Sequence, residues 1–233
     1  MLRKVEDIYG CAVRAIDGDI GGVHDLYLDD NWFIRYLGVD TGSWLSHRLI
    51  IISMHALGSP LWQEEVLPVM LSQGQVENSP ELDPSQPLSR QQFLELHEYY
   101  GWPTQEIERS LRVVPPSANA LFPTPPSAET DAGGEEVNSP LNAIRTQTEN
   151  LRLRSSREML GYQVMSKEEQ LGLVEDLFLS EDDWLIQYIL LDTHSWAPDR
   201  KVLIPSRSIE GISWSAMKIY SDISRQYLDT HNA

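Results

Sequence analysis

Apolar residues recur along this chain in short runs separated by turn residues, the spacing of strands rather than of long helices. Cys11 to Ala15 reads as a short extended run that ends at Asp17-Gly18, a hairpin-type turn signal. Val23 to Leu28 is rich in strand formers and stops at Asp29-Asp30-Asn31. Trp32 to Val39 predicts a strand in which Trp32, Ile34 and Tyr36 point one way and Phe33, Leu37 and Val39 the other. Both sets are apolar apart from Arg35, so this strand is expected to be covered on both faces. Leu49 to Ile52 and Leu67 to Leu71 supply two further strands, and Met1 to Tyr9 reads as a lead-in. Strands this short suggest a small antiparallel barrel or sandwich.

Two stretches carry helix signals. Ser72 followed by Gln75 is a capping box, with Leu71 and Val76 as its hydrophobic staple. Ser89 followed by Gln92 repeats the device, with Leu88 and Phe93 as the staple. Phe93, Leu96 and Tyr100 share one face of that second helix, and Gly101 with Pro103 marks its end. Tyr99-Tyr100-Gly101-Trp102-Pro103 is expected to pack on the core, with a ligand platform as the alternative.

The pattern then returns. Trp32 to Trp44, closed by Arg48, reappears as Trp184 to Trp196, closed by Arg200, displaced by 152 positions. Upstream the displacement is one residue shorter, so that Gly21 answers Gly172 and Asp25 answers Asp176. The extra residue falls in the turn from Ser180 to Asp183, where an insertion costs little. Trp62 matches Trp214, and the capping serines Ser72 and Ser224 stay in register. Tryptophans and caps held in one register point to a duplicated unit. Between the copies Pro115-Pro116, Pro125-Pro126, Gly133-Gly134 and Pro140 fall among few large apolar residues, which reads as a linker. Leu141 to Arg154 is predicted to hold a helical turn. The expected fold is mainly β: two small antiparallel β-barrels with short accessory helices. Residues 1–112 form the first, 113–154 the Pro/Gly-rich linker and 155–233 the second.

Charge narrows the list of partners. The chain has 18 basic and 35 acidic residues among 233, a net charge of −17, which disfavours nucleic acid and anionic lipid surfaces. A single cysteine, Cys11, allows no internal disulfide and no thiolate metal cluster. The first residues lack a signal-peptide core and no run is long enough to span a bilayer, so the expectation is a cytoplasmic protein without an integral membrane segment.

Candidate chemistry is sparse. Asp192, His194 and Ser195 include the residue types of a catalytic triad, but they are adjacent in one turn, and Gly42 stands where the histidine would repeat. The six histidines show no metal-ligand spacing, and no glycine loop precedes a helix, so neither a metal nor a cofactor is expected. Arg48 and Arg200 are expected to pair with Asp40 and Asp192, and Trp44 and Trp196 to fold back over the barrel mouth. Binding is the alternative role for these four. Asp25 and Asp176 are read as hydrogen-bonding partners on a strand, or as a shared functional pair. Trp62, Trp102 and Trp214 are the candidate contact aromatics.

Asp17-Gly18-Asp19-Ile20-Gly21, Val23-His24-Asp25, Trp32 to Thr41 and Ile50 to Ser53 together resemble the PRC-barrel domain. Gly161, Gly172 to Asp176, Trp184 to Trp196 and Val202 to Pro205 carry the same resemblance in the second copy. The PRC-barrel family includes the cytoplasmic domain of the photosynthetic reaction-centre H subunit and the C-terminal domain of a bacterial ribosome maturation factor. Asn78 to Glu81, Ser89-Arg90 and Tyr99 to Pro103 are similar to a group of soluble bacterial proteins with two such barrels. The resemblance implies a small barrel of about six strands per copy and transfers no catalytic residue. The duplication and the seven tryptophans point to a non-enzymatic protein-binding or assembly module with an unknown protein partner, able to form a homo-oligomer. One alternative is a peripheral partner of a membrane or photosynthetic complex. Another is a ligand sensor or enzyme that uses the cleft between the barrels.

Overall fold

The computed structural model describes residues 1–80, 90–103, 154–166, 169–194, 197 and 200–231. The first half contains β1 (Leu2–Lys4), β2 (Ala12–Ala15), β3 (Gly18–Leu28), β4 (Ile34–Asp40), β5 (Leu49–Ser53), β6 (Val66–Pro68), α1 (Gln73–Glu77) and α2 (Arg90–Tyr100). The second contains β7 (Arg154–Ser155), α3 (Ser156–Met159), β8 (Gln163–Met165), β9 (Gln170–Ser180), β10 (Ile186–Asp192), β11 (Lys201–Pro205), β12 (Ile209–Ser213), β13 (Lys218–Ser221) and α4 (Arg225–His231). The Ser89 cap, its Leu88 staple residue, all of the linker expected at 113–154 except Arg154, and Ser195 and Trp196 lie outside the described residues.

The longest strand organises each sheet. β3 pairs antiparallel with β2 and β4, and the path runs β5-β4-β3-β2-β6. The second sheet runs β11-β10-β9-β8-β13-β12 in the same sense. The β12–β13 pairing is reduced in the first half to the single bridges Leu57↔Val69 and Leu61↔Val66. Two expectations need correction. β2 pairs in parallel with β6, and β8 with β13, so neither sheet is wholly antiparallel. The chain reaches each parallel position only after a long crossover, drawn there by Leu67 and Ile219, both fully buried. Among the described residues the strand paths stay open, ending at β5 and β6 and at β11 and β12.

Period-two alternation sends matching residues inward from the two sheets. Leu26, Leu37, Ile52 and Leu67 are fully buried, and so are their counterparts Leu177, Ile189, Ile204 and Ile219. One continuous core includes them all. The cap on α1 forms as its sequence predicts: Ser72 Oγ accepts from the Gln75 N–H and the Gln75 side chain returns to the Ser72 N–H. α2 ends at Gly101, whose φ of +69° is open to glycine at no steric cost. Among the described residues no helix is long and apolar enough to cross a membrane.

The stretch read as a lead-in does more. β1 adds to the second half's sheet, with Leu2↔Ser180, Arg3↔Leu179 and Lys4↔Phe178 in register. β7 adds in return to the first, with Tyr27↔Ser155 and Leu28↔Arg154. Each half therefore has a strand supplied by the segment that leads into the other.

Candidate functional site

The seam between the halves gathers four of the residues marked in the sequence: Asp25, Asp176, Trp62 and Trp214. At its centre the Ile34 N–H donates to the Trp184 carbonyl and the Ile186 N–H to the Trp32 carbonyl, both at 2.8 Å. Phe33 and Leu185 bridge between them. Each contact is the repeat's image of the other, as in a two-fold interface, although both halves belong to one chain. Trp32 and Trp184 enter their strands at φ of +70° and +57°, a region that bulky residues rarely occupy. These bonds across the seam hold that strained turn in place.

An arginine straps each side. The Arg3 guanidinium lies 4.0 Å over the Trp62 ring and pairs with Glu181 at 2.7 Å. Its counterpart Arg154 lies 4.0 Å over Trp214, with Asp30 at 4.0 Å. Trp62 also contacts Trp184, with ring centroids 5.9 Å apart, and Trp214 contacts Tyr162 at 5.7 Å. Trp62 and Trp214 are thus occupied inside the molecule. A cleft of about 350 Å3 opens beside Trp32 and Trp214, with Asp30 and Glu210 at its rim. One of about 310 Å3 opens at the repeated position beside Trp184 and Met54.

Asp25 and Asp176 occupy equivalent buried positions and meet different surroundings. Asp25 accepts from Ser155 Oγ at 2.5 Å, Ser156 Oγ at 2.9 Å, the Arg157 N–H at 3.2 Å and the Leu26 N–H at 2.7 Å. It caps α3 across the seam while the Ser155 hydroxyl also accepts from the Glu158 N–H. Tyr9 extends the network through Ser156 at 2.8 Å, and burial drives its hydroxyl pKa far up. Burial, with Asp25 adding to it, also pushes Tyr27 up to about 12. Asp176 reaches across the seam in the opposite direction to the Glu6 N–H at 3.3 Å and accepts from the Leu177 N–H at 2.8 Å. Lys4 and Val5 stand where Ser155 and Ser156 stand in the other copy and carry no hydroxyl. Asp176 Oδ2 is buried and has no hydrogen-bond partner among the described residues.

Burial holds the Asp176 carboxyl above the ordinary carboxylate value of 3.8, although the Leu177 and Glu6 N–H groups oppose the shift. The folded protein thus binds a proton there more tightly than the unfolded chain does. Its stability falls as pH rises from 3.8 through the raised value, and levels off above it. Asp176→Asn removes the charge and should be at least as stable as the parent at pH 7, by up to about 1 kcal/mol. That advantage should shrink toward pH 4, as urea unfolding at the two pH values would read.

The other marked residues lie away from the seam. Arg48 does not pair with Asp40: it donates to the carbonyls of Glu77, Ser79 and Pro80, where α1 ends. Asp40 Oδ1 is taken by the Gly42 N–H at 2.8 Å, closing the turn locally. Arg200 likewise reaches the Leu228 carbonyl in α4, and Asp192 Oδ1 takes the His194 N–H, which spends that aspartate in its own turn. Thr41 and Thr193 complete the pattern by donating to the Arg48 and Arg200 carbonyls. Trp44 sits on a 3-10 turn and is 38% exposed, so it does not cover a barrel mouth. Trp102 stacks on Tyr100 at 4.3 Å and meets His97 edge-on, packing as expected of that stretch. Sequence reasoning missed Arg3, Arg154, Tyr9 and the Ser155-Ser156 pair. The only early signal was the repeat itself, which aligns Arg3 with Arg154. Among the described residues no group of three His, Cys, Asp or Glu side chains is placed to hold a metal ion.

The PRC-barrel domain family matches residues 152–224, a span that holds β7 through β13. No curated protein matches the chain.

Proposed function

We propose that the protein is a non-enzymatic protein-binding and assembly module built from two PRC-type units. The family match covers the second half, and the sheet order of the first half repeats it. The reading takes residues 1–112 and 155–233 as the two units, with 113–154 as their tether. The observation that carries it is the reciprocal exchange of β1 and β7, by which each unit completes the sheet of the other. The side chains that looked most like chemistry are used in holding the units together: Asp25 caps α3, and Trp62 and Trp214 are covered by Arg3 and Arg154. A module of this kind works by shape, offering a preorganised surface that loses little entropy on binding.

Gel filtration of the native protein from a gentle lysate tests the reading. The chain should elute in a complex of defined composition, well above its own 26.6 kDa. Elution as a bare monomer at every concentration tried, or turnover of a small molecule by the purified chain, would overturn it.

A further inference from the structure

The two halves differ most on the outer faces of β4–β5 and β10–β11. Alternation places Tyr36, Gly38 and Ile51 on the face opposite Leu37 and Ile52. α2 lies on that face. Phe93 packs on Tyr36 with ring centroids 5.4 Å apart, and the Tyr36 hydroxyl meets His97 Nε2 at 2.7 Å. Under this cover Tyr36 is 5% exposed and Ile51 3%.

The repeat puts Tyr188, Leu190 and Leu203 at the same three places, with Leu190 and Leu203 directly paired across the strands. Leu203 is 40% exposed and Tyr188 half-buried, while Leu190 beside them is buried. The Tyr188 hydroxyl has no hydrogen-bond partner among the described residues. A sheet face meant for water reads polar at such positions. This one is more apolar than its covered counterpart, because leucine replaces Gly38.

We propose that the outer face of β10–β11 is the docking surface for one amphipathic helix of a partner protein, seated as α2 is seated on β4–β5. The helix needs two apolar residues three apart, as Phe93 and Leu96 are, to cover Leu203 and the exposed part of Tyr188. It needs a hydrogen-bonding side chain beside the second, in the place of His97, to meet the Tyr188 hydroxyl. Its flanks are basic, because the chain carries a net charge of −17. The same charge opposes a second copy on this face. This inference rests on the assembly reading and names the partner's contact.

The test replaces Tyr188 in the whole chain by the photo-crosslinker p-benzoylphenylalanine, in the native host. The expected product joins this position to a segment of another protein carrying the helical pattern above. A synthetic peptide of that segment should bind the purified chain, and Leu203→Glu should weaken it at least tenfold without moving Tm. Met70→Glu, at an exposed residue of the first half, should change neither. A cross-link to a second copy, to residues 104–153 of the same chain, or to a segment without the pattern would overturn the proposal. So would a partner that stays bound to the Leu203→Glu variant, an outcome that leaves the assembly reading standing. A wild-type chain that elutes alone defeats the assembly reading itself.

Discussion

Asp25→Ala should destabilise the protein by about 3 kcal/mol, because it strands several donors at once in a buried place. The hydroxyls of Ser155 and Ser156 and the N–H groups of Leu26 and Arg157 all lose an acceptor. The damage falls on both halves, since the carboxylate belongs to β3 and the helix it caps to the second half. Urea unfolding should therefore show one transition moved to lower denaturant, not the loss of half the signal. Asp25→Asn should recover only part of the loss, because its amide nitrogen meets donors where the carboxylate oxygen accepted. The contrast with Asp176→Asn, expected to be neutral or better, is the sharper check. Two aspartates at equivalent positions should respond with opposite signs because one copy has serines where the other has Lys4 and Val5.

Gly21→Ala should cost about 3 kcal/mol or more, since overpacking against rigid neighbours leaves little room for relief. A Cβ on Gly21 would run into the Asp40 carbonyl oxygen, and at the repeated position a Cβ on Gly172 would come within 2.5 Å of the Asp192 carbonyl oxygen. These obstacles are backbone of the neighbouring strand, so relief requires moving β4 or β10. Gly10→Ala is the control. It has positive φ but nothing within 4 Å of an added Cβ, so only the cost of the left-handed conformation, about 1 kcal/mol, remains. Thermal unfolding should rank Gly10→Ala far above Gly21→Ala and Gly172→Ala.

Strands and core were legible because their information is local. Alternation from Ile34 to Asp40 and the apolar run from Leu49 to Ser53 name both the strands and their buried faces. The α1 cap was legible for the same reason, as Ser72 and Gln75 lie within one turn. The parallel pairings were not, because nothing in the three residues of β6 says which strand end they meet. Arg48 misled in an instructive way. Its nearest aspartate is already engaged by a backbone N–H two residues on, and its true partners are carbonyls that become available only where α1 stops. The exchange of β1 and β7 was hidden most completely. Three residues and two residues carry no period, and their partners lie more than a hundred positions away.

The pairing of Leu2 with Ser180 also sets an order of events during synthesis. β1 must wait, unpartnered, until β9, far along the chain, has been made. A nascent chain stopped before β7 would carry β1 as a loose end and β3 with part of its edge bare, inviting contact with neighbouring polysomes. Pairing of β1 is thus a late, long-range step, in which an early segment of the polypeptide comes back to a strand of the second half.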